Sequence, residues 1–365
     1  MKKLKSLKRT TKVDFLTYLG VTVAFILISV LNGNGVLSRS QQGWLVPACC
    51  YVVMAVSLNL VVGISGELSL GHAGFMSVGA FSGAVTAMSL TDAIPFAPLR
   101  LAVAILAGAL LAGVAGALIG IPVLRLRGDY LAIVTLAFGE IIKELMNCLI
   151  VGCDSKGLHI IFNLTGTKSA ADLNLAAGGT VIIKGAQGTT GVTAISSFAA
   201  GFVLIMITLV IVLNLVRSRA GRAIMAIRDN RIAAESVGIN ATKYKMMAFV
   251  TSAALAGAAG ALYGLNYSSI VSTKFNFNTS ILVLVYVVLG GLGNIWGSIV
   301  AATVLYILPE ALREFADYRM LVYAIVLIIV MIVTNNPTIK AFFGKVTTLL
   351  KRKRPAAPAK GGAQQ

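Results

Sequence analysis

Charge is scarce in this sequence. Asp, Glu, Lys and Arg together make up 12% of 365 residues, where a soluble domain carries about 25%, and that shortage excludes a large aqueous surface. Histidine is scarcer still, with only His72 and His159. No phosphate-binding G-x-x-x-x-G-K-[ST] string, no H-x-x-x-H metal pair and no G-x-S-x-G nucleophile elbow occurs, so no catalytic residue and no metal site is assigned, and the chain is read as a non-enzyme. The four cysteines, Cys49, Cys50, Cys148 and Cys153, have no metal-ligand spacing with histidine. They read as small buried residues, with a disulfide between Cys148 and Cys153 left open.

What the chain has instead is apolar length: 57% hydrophobic residues and a mean hydropathy of +0.88. A bilayer crossing needs about 20 apolar residues, and eight segments qualify, roughly 14–31, 44–63, 70–90, 99–121, 130–150, 197–216, 246–266 and 319–334. The stretch 279–308 is apolar but split by "GGLGNIWG", which predicts two short helices or a re-entrant hairpin. The fold class is therefore an all-α integral membrane protein, a polytopic bundle of 8–10 transmembrane helices with glycine-broken central segments. Small residues at four-residue spacing, Gly116 and Gly120 in one span and Gly260 and Gly264 in another, predict close helix packing in lipid.

The basic residues set the orientation. Six precede residue 13, Arg125 and Arg127 close the fourth span, seven lie between 217 and 245, and seven follow Pro337. All fall on one side if the N-terminus is cytoplasmic, because cytoplasmic loops collect Lys and Arg. That predicts a membrane protein with both termini cytoplasmic. The net charge of +18 sits in juxtamembrane clusters suited to the lipid bilayer surface, so no nucleic acid is implied. The start "MKKLKSLKRTTKVDF" resembles the basic region of a signal peptide but leads into a long apolar run without an A-x-A site, and is read as a retained first span.

Three parts follow: a basic N-terminus, 1–13; a transmembrane domain, 14–336; and a basic tail, 337–365, whose "KRKRPAAPAKGGAQQ" predicts disorder. Within the domain, 151–196 is the one sizeable outer loop, where "TVIIKG" and turn glycines predict a short hairpin. Residues 217–245 form a long basic inner loop with Asp229 or Asn230 as an N-cap, a short helix over 231–237, and Gly238 placed as a C′ glycine.

"SLNLVVGISGELSLGHAGF", residues 57–75, begins as a span and breaks itself, and "VLGGLGNIWGSIVAA", 288–302, is a looser counterpart in the other half. Paired broken helices point to transporters built from internal repeats, and irregular backbone at membrane depth is tolerated only in a protein interior or a wet cavity. The first break reads either as a path-lining element or as an ordinary turn at the membrane edge. The path candidates are Asn59, Gly66, Glu67, Ser69, Gly71, His72, Gly290, Gly291 and Gly293. In the fifth span, "FGEIIKEL" puts Glu140, Lys143 and Glu144 on one helix face, as a structural ion pair or a further path element.

"GRAIMAIRDNRIAAESVGI" resembles the coupling loop of bacterial ABC-importer permeases, and "NLVVGISGELSLGHAGFMSVGA", "RGDYLAIVTLAFGEII", "KYKMMAFVTSAALAGAAGALYG" and "VVLGGLGNIWGSIVAA" resemble, in order, signatures of the branched-chain amino acid permeases of LivM type. The resemblance covers most of 44–320. It implies a heterodimer with a homologous permease subunit, two ABC ATPase subunits that use ATP and Mg, and an extracytoplasmic solute-binding protein delivering leucine, isoleucine or valine. No cofactor is then bound by this chain. ATPase coupling would fall to Arg222, Arg228, Asp229, Ile232, Ala233, Ala234, Glu235 and Gly238, with Ile232, Ala233 and Val237 as an apolar face flanked by Arg228, Arg231 and Glu235. The chain differs in a longer outer segment, 152–183, and in "AAESVG", whose acid follows the alanines. Sister permeases of similar sequence carry urea or short amides, and an ion-coupled secondary transporter using Glu140, Lys143, Glu144 and His72 is the alternative of another class.

Overall fold

The computed structural model of the protein describes residues 9–126, 128–154, 157–163, 168–175, 179–312, 318 and 321–328. The predicted tail and half of the predicted span 319–334 lie outside these residues. The chain divides into Met1–Ile307 and Leu308–Gln365, and the architecture below is that of the first unit.

Helix α1 (Arg9–Gly33) is followed by α2 (Arg39–Asn59), which runs on into a π-turn (Leu60–Ile64), and then by α3 (His72–Ser89), α4 (Ala97–Val123) and α5 (Asp129–Cys148). After a sheet of β1 (Leu149–Asp154), β2 (Gly157–Phe162) and β3 (Thr180–Lys184) come α6 (Phe198–Arg217), the short α7 (Arg219–Asp229) and α8 (Arg231–Ser236), then α9 (Ala241–Gly264), α10 (Phe277–Gly290) and α11 (Ile295–Ala311). Six helices start at a Ser or Asn whose side chain accepts from the backbone amide three residues on: Ser38, Ser197, Ser218, Asn230, Asn240 and Asn276. Each cap satisfies an orphan amide and contributes about 1 kcal/mol.

Among the described residues five helices are long and apolar enough to cross a membrane: 14–33 within α1, α2 with its π-turn, α4, α6 and α9. The expected spans 70–90 and 130–150 are helices as well, but α3 is rich in Gly, Ala and Ser and α5 carries four charged residues. The split stretch 279–308 forms two short helices, α10 and α11.

The centre of the unit is α9 against α3 and α4. A Cβ on Gly260 would strike the Met76 carbonyl, one on Gly264 would lie 2.8 Å from Ala80 O, one on Gly116 2.5 Å from Ala253 Cβ and one on Gly120 2.7 Å from Met246 Sδ. The small-residue spacing therefore does what it predicts: helices without a hydrophobic drive between them associate through close van der Waals contact.

The outer-loop hairpin differs from expectation. β3, which holds "TVIIK", pairs antiparallel with β1, and β1 also pairs with β2, giving the order β2-β1-β3. β1 begins immediately after α5, inside the stretch read as the fifth span. An apolar run such as Leu149–Val151 suits a helix end and a buried strand equally. The same strand settles the cysteines. At about 3.3 Å per residue it carries Cys153 about 13 Å from Leu149, the residue that follows Cys148 at the end of α5, beyond disulfide reach, and all four cysteines are free.

Candidate functional site: the broken helices and the basic loop

The two glycine-broken segments meet. Asn59, the last residue of α2 and 0% exposed, accepts from the Gly293 amide at 2.8 Å and donates through Nδ2 to Ser298 Oγ at 2.9 Å. Both faces of its amide are thus used, which fixes its orientation. Gly291 and Gly293 turn the chain between α10 and α11 with φ of +92° and +78°, a region where a β-carbon is costly. Across that turn Gly290 and Gly297 pack backbone to backbone.

After the π-turn, residues 65–71 are non-helical, and Leu70 and Gly71 meet α5 before α3 starts. Gly71 is pressed on α5: a Cβ there would strike Thr135 O, and one on Gly139 would lie 3.0 Å from Gly71 Cα. The Leu70 amide donates to Thr135 Oγ1 at 3.1 Å and the Ala73 amide to Ser280 Oγ at 3.0 Å, so side-chain hydroxyls satisfy backbone that no helix does. His72, 2% exposed, sits 2.8 Å from Ser57 Oγ. Ser57 Oγ also lies 2.9 Å from Met54 O, to which it donates. Ser252 Oγ donates to Ser57 O at 2.6 Å. Ser69 is buried, and its hydroxyl has no hydrogen-bond partner among the described residues.

The basic loop docks on the same break. Lys245 at the start of α9 pairs with Glu67, and Arg228 Nη1 donates to Gly63 O at 3.0 Å. Arg228 also holds Asp229 Oδ1 through Nε at 3.1 Å and Nη2 at 3.0 Å. Its role as a flank of the apolar face is therefore corrected: the guanidinium turns toward a carbonyl left free by the π-turn. Gly66, at φ +75°, makes room for it, since a Cβ there would come 2.6 Å from Arg228 Cγ. Arg222 is exposed and donates to Arg217 O at 3.1 Å.

α8 forms as predicted, with Asn230 and not Asp229 as the cap, accepting from the Ala233 amide at 3.0 Å. Gly238 at φ +85° closes it: its amide donates to Glu235 O at 3.0 Å and that of Ile239 to Ala234 O at 3.1 Å, a Schellman pair. Ile232 is 82% exposed and Val237 75%, Ala233 is exposed, and Arg231 pairs with Glu235 at 2.8 Å. Ala234 is the exception and a correction. It is 5% exposed and packs with Ile227 and Ala241, so it holds α8 to α7 and presents nothing outward.

On α5, Lys143 pairs with Glu140 and lies 3.3 Å from Glu144. Glu140 Oε1 also accepts from the Phe277 amide at 3.1 Å, and Glu144 Oε2 accepts from Asn147 Nδ2 at 2.9 Å. The carboxylate thus takes an orphan amide at the start of α10, where the helix dipole favours negative charge. None of these hydrogen bonds reaches His72.

Sequence reasoning missed the small polar residues that organise the break: Ser57, Thr135, Ser252, Ser280 and Ser298, together with Lys245. The available signal was hydroxyls in apolar spans, which in lipid bond to their own turn or across helices. Which of the two each does depends on the fold.

Comparison with known proteins follows the same lines. The family described as branched-chain amino acid transport system / permease component matches residues 41–331. The chain is 35% identical over 320 residues to the high-affinity branched-chain amino acid transport system permease protein LivM of Salmonella typhimurium (strain LT2), covering 84% of this chain and 72% of that one. It is 35% identical over 295 residues to LivM of Escherichia coli (strain K12), covering 77% of this chain and 66% of that one. A 119-residue stretch is 33% identical to the permease protein LivH of the same E. coli strain, covering 32% of this chain and 38% of that protein. No solved structure matches. With a family match over well over half its length, and the broken spans that carried the resemblance at its centre, the chain belongs to the branched-chain amino acid transport system permease family.

Proposed function

We propose that the chain is the membrane-spanning permease subunit of an ATP-driven importer for branched-chain amino acids, working in the inner membrane with both termini cytoplasmic. It forms the translocation path with a homologous permease subunit. Two ABC ATPase subunits on the cytoplasmic face of the pair use ATP and Mg, with 217–245 as this chain's docking loop, and an extracytoplasmic solute-binding protein delivers solute on the side of the β-sheet. The observation that carries this reading is α8. A helix of two turns is not stable alone in water, yet this one is capped at both ends and presents Ile232 and Val237 outward, as a docking element does. The two LivM relatives supply the solute class, and the likeness to LivH supports a paired permease.

Co-purification of the chain with its ATPase subunits and binding protein, followed by a screen of solutes for stimulated ATP hydrolysis, tests the proposal. Leucine, isoleucine and valine should stimulate. Stimulation by urea or short amides alone would reassign the solute, and uptake without ATPase subunits would overturn the mechanism.

A further inference from the structure

We propose that Arg228 is the positioning residue that joins the docking helix to both broken spans, so that the two breaks open and close as one joint. The inference rests on the reading of α8 as the ATPase dock. Starting from α8, Ala234 packs on Ile227 of α7, and the next residue, Arg228, holds Gly63 O. On its other side Gly63 carries the bond between the breaks, because a Cβ there would strike both Asn59 Oδ1 and the Gly293 amide nitrogen. Each member touches the next, and Gly63 is the point where a pull on its carbonyl reaches the hydrogen bond from Gly293 to Asn59.

Three features separate a transmitting contact from an ordinary surface anchor. The carbonyl it grips belongs to a π-turn, an irregular backbone that recurs at functional sites. The guanidinium is fixed by Asp229 on one edge, so it is pre-aimed, a geometry that the single point charge of a lysine cannot copy. Asn59, with no exposure of its own, bonds through its side chain across the break, to Gly293 and Ser298. A displacement of α7 that moves the Gly63 carbonyl therefore bears on the second half of the chain through a buried contact.

Hydrogen exchange of the full chain in nanodiscs tests the joint without transport. In Arg228→Ala, exchange of the Gly293 amide, which Arg228 does not touch, should rise at least tenfold together with that of 63–67. Loosening of 63–67 with Gly293 unchanged makes Arg228 a local anchor and overturns the proposal. Should Arg228→Ala fail to fold, Arg228→Lys must show the same paired loosening. With ATPase subunits and binding protein, leucine taken up per ATP hydrolysed should fall at least tenfold in the variants. Unchanged uptake per ATP also overturns it. If the wild-type complex takes up no leucine, the functional reading fails, and the exchange at Gly293 still decides the joint.

Discussion

Gly71 and Gly139 lie back to back, so that a β-carbon on Gly139 would stand 3.0 Å from Gly71 Cα. The contact joins the non-helical segment after the first break to the middle of α5, and it explains a glycine where lipid favours a larger residue. The space around Gly71 is filled by the chain's own α5 and not left open toward a partner. Gly71→Ala should therefore lower stability by about 1–3 kcal/mol, the cost of overpacking, and Gly71→Leu should sharply reduce folded yield. Thermal unfolding followed by fluorescence checks this, and a wild-type midpoint for Gly71→Ala would refute the close contact.

The charged face of α5 makes a prediction through Glu140, which bonds Lys143 and also the Phe277 amide. Glu140→Gln keeps an acceptor for that amide, whereas Glu140→Ala removes both bonds. The alanine variant should be the less stable by about 1 kcal/mol, since Lys143 keeps Glu144 at 3.3 Å in both variants and the two differ in the acceptor left for the Phe277 amide. Equal stability of the Gln and Ala variants would mean that the α10 start does not depend on Glu140.

Cys148 ends α5, and Cys153 lies near the far end of β1. Mild oxidation of the purified protein should leave both thiols free to alkylation, with unchanged mobility on non-reducing gels. An intrachain crosslink between them would contradict the strand, because only an unpaired β1 could bring the two sulfurs together.

Local signals were readable in advance and distant pairings were not. Asn230, the helix after it and Gly238 lie within nine residues, and cap chemistry follows from the residues alone, so α8 was legible. The glycine breaks were legible as breaks for the same reason. Their meeting was not, because the bond from Gly293 to Asn59 spans 234 residues and no periodicity encodes it. Arg228 shows the same limit: a basic residue beside an acidic one reads as a solvated charge until a free carbonyl is placed next to it. Ala234 failed differently. The "IAA" run allowed either alanine to face outward, and only the docking of α8 on Ile227 and Ala241 chose.

The last prediction separates the two faces of α8. Ile232 and Ala233 are exposed, whereas Ala234 is packed inward and Gly238 holds the terminating turn. Ile232→Glu and Ala233→Glu should thus leave stability within about 0.5 kcal/mol of wild type, since neither side chain contributes to the core. Both place a carboxylate on a surface that docking would desolvate, and a buried unpaired charge is strongly unfavourable. ATPase subunits should therefore bind at least tenfold more weakly, with transport-linked hydrolysis lost in proportion. Gly238→Val and Ala234→Leu act on the helix itself. The first forces a β-branched residue into left-handed backbone at about 1–2 kcal/mol, and the second overfills the contact with Ile227 and Ala241 at about 1–3 kcal/mol, so both should lose local protection in hydrogen exchange before any partner is added. Binding measured by surface immobilisation, alongside exchange on the free chain, distinguishes the pairs. If Ile232→Glu and Ala233→Glu assemble and transport at the wild-type rate, α8 is not the dock, and its caps serve only to close the basic loop.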